Sequence, residues 1–168
     1  MALIIAFGPV SGAHFNPVVS LADRVLGGMT TREFLAYVPA QIVGACAGAM
    51  LANSMFDLDL VNVSTHARTG TGILIGEVVA TFGLLLVILG VVRSGRTTLA
   101  PFAVAGYIAA AYWFTSSTSF ANPAVTIGRT LSNTFAGIAP SSAPAFIAAQ
   151  LLGAVSALLT ARWMVKPS

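Results

Sequence analysis

The chain has 168 residues, of which 57% belong to the set AVILMFWYC and only 8% are charged, with a formal net charge of +3 at pH 7. Soluble domains carry about 25% charged residues, so a mean hydropathy of +0.88 excludes an ordinary water-soluble globule and points to a bilayer as solvent. The basic residues are scattered between apolar runs, which argues against a nucleic-acid surface, and the lone Cys46 excludes an internal disulfide and a paired-cysteine metal site.

In chain order, residues 1–7 are apolar but too short to cross a bilayer core, which needs about 20 helical residues. They are expected to be the end of a span whose beginning is absent. A short segment opens at Asn16-Pro17 and stops near Gly27-Gly28. Asn is a good N-cap and Pro is preorganised for the first helical position. About 12 such residues rise about 18 Å, a little over half the hydrocarbon thickness, so a half-helix is expected. Residues 34–56 form an uncharged span, and 71–92 form another with one charge, Glu77. Residues 99–114 make a shorter span running into Ser and Thr. A second half-helix is expected from Asn122-Pro123 to Ser132-Asn133, and a last span over 143–161.

If the spans alternate, Arg24, Arg32, Arg93, Arg96, Arg162 and Lys166 fall on one side, and Arg68 and Arg129 on the other. The excess of Lys and Arg predicts that the first group, and with it the C-terminus, faces the cytoplasm. The two halves also resemble each other. FNPVV at 15–19 matches ANPAV at 121–125, and YVPAQIVGA at 37–45 matches FIAAQLLGA at 146–154, pairing Gln41 with Gln150 and Gly44 with Gly153. Three spans lie between the Asn-Pro pairs, an odd number, so the second pair enters from the opposite face. Such inverted repeats with broken helices build transport sites near the midplane, and non-helical backbone at that depth lines a cavity or is buried in protein. Gly44, Ala45, Gly106, Gly153 and Ala154 are read as small residues that let helices pack closely.

SGAHFNPVVS at 11–20 and FANPAVTIGR at 120–129 are similar to the two pore-loop signatures of the aquaporin (major intrinsic protein) family, bacterial aquaglyceroporin-like branch. The resemblance covers the whole chain. It implies an all-α membrane protein, a single aquaporin-like transmembrane domain over 1–168, with 1–57 the remainder of the first repeat and 70–168 the second. Against the family fold, the first helix and most of the second are missing. The resemblance further implies a passive channel rather than an enzyme, without cofactor or metal, carrying water and small neutral solutes across the cell membrane as a multi-pass homotetramer. Glycerol and undissociated metalloid acids such as arsenite fit that class. A truncated, non-conducting remnant is the alternative. A membrane enzyme is disfavoured because Glu77, His14 and Cys46 have no convergent partners in the sequence.

Within that frame Asn16, Pro17, Val18, Asn122, Pro123 and Ala124 form the paired pore motifs. Each half-helix directs a positive dipole end, about half an elementary charge, at the membrane centre. The Asn16 and Asn122 amides are expected to donate to passing oxygens. Val18 stands where the family usually has Ala and is expected to add bulk at the meeting point. Val125 stands where water-selective members carry Arg. Ungapped spacing places Ser119 and Ala110 beside it in a wide filter of small residues with no fixed charge. Arg129 lies seven residues after Asn122, on nearly the same helical face, and either folds back toward the pore or sits at the interface. Glu77 is expensive in lipid, and the resemblance implies that it braces a pore loop through backbone N–H groups. His14 is read as a second brace.

Overall fold

The computed structural model describes residues 1–163, so the predicted position of Lys166 lies outside the described residues. Among the described residues seven α-helices follow one another: α1 Ala2–Ser11, α2 Pro17–Leu26, α3 Thr31–Met55, α4 Thr71–Arg93, α5 Ala100–Phe114, α6 Pro123–Gly128 and α7 Ala143–Trp163. Single 3-10 turns precede α5 at Thr97–Leu99 and follow α6 at Arg129–Leu131. Helices α3, α4, α7 and the Thr97–Phe114 unit are each long and apolar enough to cross a membrane. The fold is an all-helical, multi-pass membrane fold of the aquaporin type.

The ends follow local chemistry. Asn16 accepts from the Val18 N–H at 3.1 Å and Pro17 opens α2, whereas Gly27, with φ of 88°, closes it in the left-handed region. Thr30 and Glu33 cap each other's backbone at the start of α3. Helix α1 continues beyond residue 7, through Pro9, and ends at Gly12 with φ of 70°.

The second half-helix is shorter than the sequence suggests. Regular α-helix stops at Gly128 and tightens into the 3-10 turn. Gly128 packs directly on α3, where a Cβ would lie 2.7 Å from the Ala45 carbonyl oxygen, and the Thr130 hydroxyl donates to Ile127 O at 2.7 Å.

Helix α4 packs chiefly on α7. The close approach is made at Gly153, where a Cβ would lie 2.5 Å from Val78 O. Val18 and Ala22 of α2 join Leu85, Leu89, Ala154, Ala157, Leu158 and Ala161 in the main core. Two smaller clusters continue it, one around Ala80, Leu84 and Ala121, the other around Phe120, Ile138 and Phe146. Not every small residue serves packing: Gly44 and Gly106 have no atom within 4 Å of a built Cβ. Both lie on exposed helix faces, so neither makes a close approach to another helix of this chain.

The connection after α3 runs beside the connection after α6. Asn62 and Ser132 form a parallel bridge, Ser64 N–H donates to Thr130 O at 2.9 Å, and Ala139 N–H donates to His66 O at 2.8 Å. Asn53, buried at the end of α3, donates to Leu131 O at 2.8 Å. This pairing carries Arg68 to the same end of the molecule as Arg129.

Candidate functional site

The two half-helices meet at their amino ends. The Asn16 side-chain nitrogen donates to Ala121 O at 2.7 Å, and the Asn122 nitrogen donates to Phe15 O at 2.9 Å. Each asparagine therefore caps its own helix with its oxygen and holds the opposite loop with its nitrogen. Asn122 Oδ1 accepts from the N–H groups of Ala124 at 3.0 Å and Val125 at 3.3 Å. Pro17 and Pro123 are both buried first-turn residues.

The loop before α6 has an unusual backbone. Thr118, Ser119 and Ala121 have φ of 63°, 42° and 46°, a region that side chains disfavour. Glu77 offsets that strain. Fully buried on α4, its carboxylate accepts from Phe120 N–H at 2.8 Å, Ala121 N–H at 2.9 Å and the Gln150 side chain at 2.7 Å. Gln150 also donates to the Thr126 hydroxyl at 2.9 Å. Charge-assisted bonds of this kind are stronger than neutral ones, and they turn the loop carbonyls away from α4.

The first loop is held by Gln41, which donates to His14 O at 2.7 Å and to the Ser20 hydroxyl at 2.9 Å. The His14 ring sits 3.4 Å from the Ser20 hydroxyl and packs edge-on against Tyr37, whose hydroxyl donates to Ser11 O. His14 thus supports its loop through its carbonyl while its residue also lines the cavity described next.

A cavity of about 430 Å³ runs between the half-helix loops and α1, α4 and α5. Asn16, Asn122, Val125, Ser119, His14 and Arg129 line it, together with Phe120 and Tyr112. One wall is apolar, supplied by Leu84, Ile88, Val104 and Ile108. Three sequence expectations need correction. Ala110 is exposed and is not on the lining, whereas Ile108 and Tyr112 are; residues 115–121 leave the helical path, so counting back from Asn122 misplaces the wall. Val18 is fully buried in the main core, and the lining residue of α2 is its neighbour Val19. The wall is also not free of charge, because Arg129 joins it with its guanidinium 4.2 Å from the Phe120 ring centroid.

In the sequence Arg68 counts only as a charge on the far side. It is buried, donates to Gly137 O at 2.8 Å, Phe135 O at 2.9 Å and the Thr118 hydroxyl at 3.1 Å, and lies 4.8 Å from the Phe120 centroid. Burial lowers its pKa from the ordinary value, and the Arg129 charge acts in the same direction. Nothing in the spacing of Arg68 signals these contacts, since its partners belong to loops far along the chain.

Residues 1–119 match the family profile described as major intrinsic protein. The chain belongs to that family. Members of the major intrinsic protein family are channels, not enzymes. The chain is 50% identical over all its 168 residues to "Aquaglyceroporin AqpS" of Rhizobium meliloti, spanning 72% of that protein. It is 30% identical, over 98% of its length, to "Probable aquaporin AqpM" of Archaeoglobus fulgidus, again spanning 72% of it. A third relative, "Aquaporin NIP1-1" of Zea mays, is 37% identical over 57% of the chain and 35% of the plant protein.

Proposed function

We propose that the chain is a passive channel for water and small uncharged solutes, with glycerol and undissociated metalloid acids such as arsenous acid in its range. The observation that carries this reading is the crossed pair of asparagine caps, Asn16 on Ala121 O and Asn122 on Phe15 O, beside a cavity lined by both polar and apolar residues. Loop carbonyls and asparagine N–H groups replace hydrogen bonds that a solute leaves in water. The facing helix amino ends oppose cations. The apolar wall gives carbon-bound faces of a polyol a surface that asks for no hydrogen bonds. The relative named an aquaglyceroporin supports the polyol part of the proposal.

Residues 1–57 and 70–168 are read as the two halves of one inverted repeat, supported by the matching bonds of Gln41 to Ser20 and Gln150 to Thr126. The C-terminus is assigned to the cytoplasm, supported by the clustering of Arg93 with the end of α7, where it donates to Ala161 O at 2.8 Å. A homotetramer is carried forward from the family resemblance, and cross-linking in membranes tests it.

The direct test is stopped-flow swelling of proteoliposomes containing the 168-residue chain. Glycerol, urea and arsenous acid are expected to enter faster than into empty vesicles, and sucrose is not. Swelling equal to that of empty vesicles for every solute would favour the non-conducting alternative.

A further inference from the structure

The Arg129 end of the cavity is built from groups that the paired asparagine motifs do not use. Tyr112 from α5, Ser119 and Phe120 from the strained loop, and Arg129 from the turn after α6 share one wall. The Arg129 Nη1 atom is buried and has no hydrogen-bond partner, and neither has the Ser119 hydroxyl. Among the described residues no carboxylate forms an ion pair with Arg129, and both Glu77 oxygens bond instead to Phe120, Ala121 and Gln150. Arg129 follows Val125 by four residues, about one helical turn, so its backbone is about 6 Å further along the half-helix, and its guanidinium lies over Phe120.

We infer that Arg129, laid over Phe120 and sharing its wall with Tyr112 and Ser119, is the specificity-determining cation of this channel, displaced one turn from Val125. Its charge rejects cationic solutes, and those of its N–H groups that reach the cavity donate to oxygens of neutral solutes. Tyr112 limits the width. Phe120 is the plate that holds the guanidinium, and Arg68 is a positioning residue. Arg68 reaches the same ring at 4.8 Å and ties the 115–121 loop to the 133–139 loop through Thr118, Phe135 and Gly137. The inference rests on the channel reading above.

The test measures methylammonium and glycerol entry into proteoliposomes of the full chain. Removing a unit charge from a narrow passage is expected to raise the methylammonium-to-glycerol flux ratio about tenfold in Arg129→Ala. Arg129→Gln, which keeps much of the shape, gives the same rise and serves if the alanine variant does not fold. Arg129→Lys keeps the ratio low. Phe120→Leu raises the ratio in the wild-type background and adds nothing in Arg129→Ala, a non-additivity that a purely structural role for Phe120 does not produce. A conducting wild type whose folded Ala and Gln variants keep the original ratio overturns the inference and leaves the channel reading standing. A wild type that conducts neither solute overturns both.

Discussion

The two half-helices repeat one motif, yet they are braced differently. Behind α6 a buried carboxylate, Glu77, gathers two backbone N–H groups and Gln150. Behind α2 the neutral Gln41 holds one carbonyl and one hydroxyl, and no acidic side chain among the described residues takes the place of Glu77. Burial follows the same division. The most hydropathic stretches of α4 and α7 are 39% and 44% buried, and that of α3 is 0% buried. Sequence similarity between repeats therefore says which residues correspond, and the packing says how much each one carries.

The largest effect that would break this comparison is expected at Glu77. Glu77→Ala strands the Phe120 and Ala121 amides and one Gln150 donor in a buried site, a loss of about 3 kcal/mol or more, read as a large drop in thermal stability in detergent and loss of glycerol swelling. A variant that melts like wild type would show that the carboxylate is not what holds the loop.

Gln150→Ala and Gln41→Ala sharpen the contrast. The first removes a fully buried donor from a charged acceptor and is expected to destabilise by about 2 kcal/mol, the second by about 1 kcal/mol or less at its half-buried site. Equal losses would contradict the asymmetry.

Gly153 and Gly44 occupy matching repeat positions, so the same substitution tests packing alone. Gly153→Ala drives a Cβ into Val78 O and is expected to destabilise by about 1–3 kcal/mol. Gly44→Ala meets nothing within 4 Å and is expected to be neutral or to stabilise α3 by up to about 1 kcal/mol. Differential scanning fluorimetry reads both. The smallest effect is expected at Ala110→Ser, which leaves the solute ranking of the swelling assay unchanged because the residue lies off the cavity. A changed ranking would restore Ala110 to the wall.

Much of this architecture is legible in the sequence because it rests on local rules. Hydropathic length finds the spans within a few residues, and Asn-Pro followed by helix formers marks both re-entrant starts. Glu77 stands out as a lone charge in an apolar run, and its role as a loop brace follows from the family resemblance. What the sequence hides depends on backbone that obeys no simple period. Thr118, Ser119 and Ala121 at positive φ break the count that would have led from Asn122 to Tyr112. Arg68 is hidden for another reason: beside the Thr118 hydroxyl and the Phe120 ring, its partners are main-chain oxygens, which every residue has, so no pattern of side chains points to them. The structure also separates Val18 from Val19, adjacent residues of which only the second reaches the cavity.

The crossed asparagine links bear on how the protein is made. They join residues 105 and 107 positions apart, so the earlier re-entrant arm has no mate for its amide until the ribosome has passed the middle of the later half. An unsatisfied amide is costly in hydrocarbon. An arm that stays near the aqueous interface until its mate is made avoids that cost.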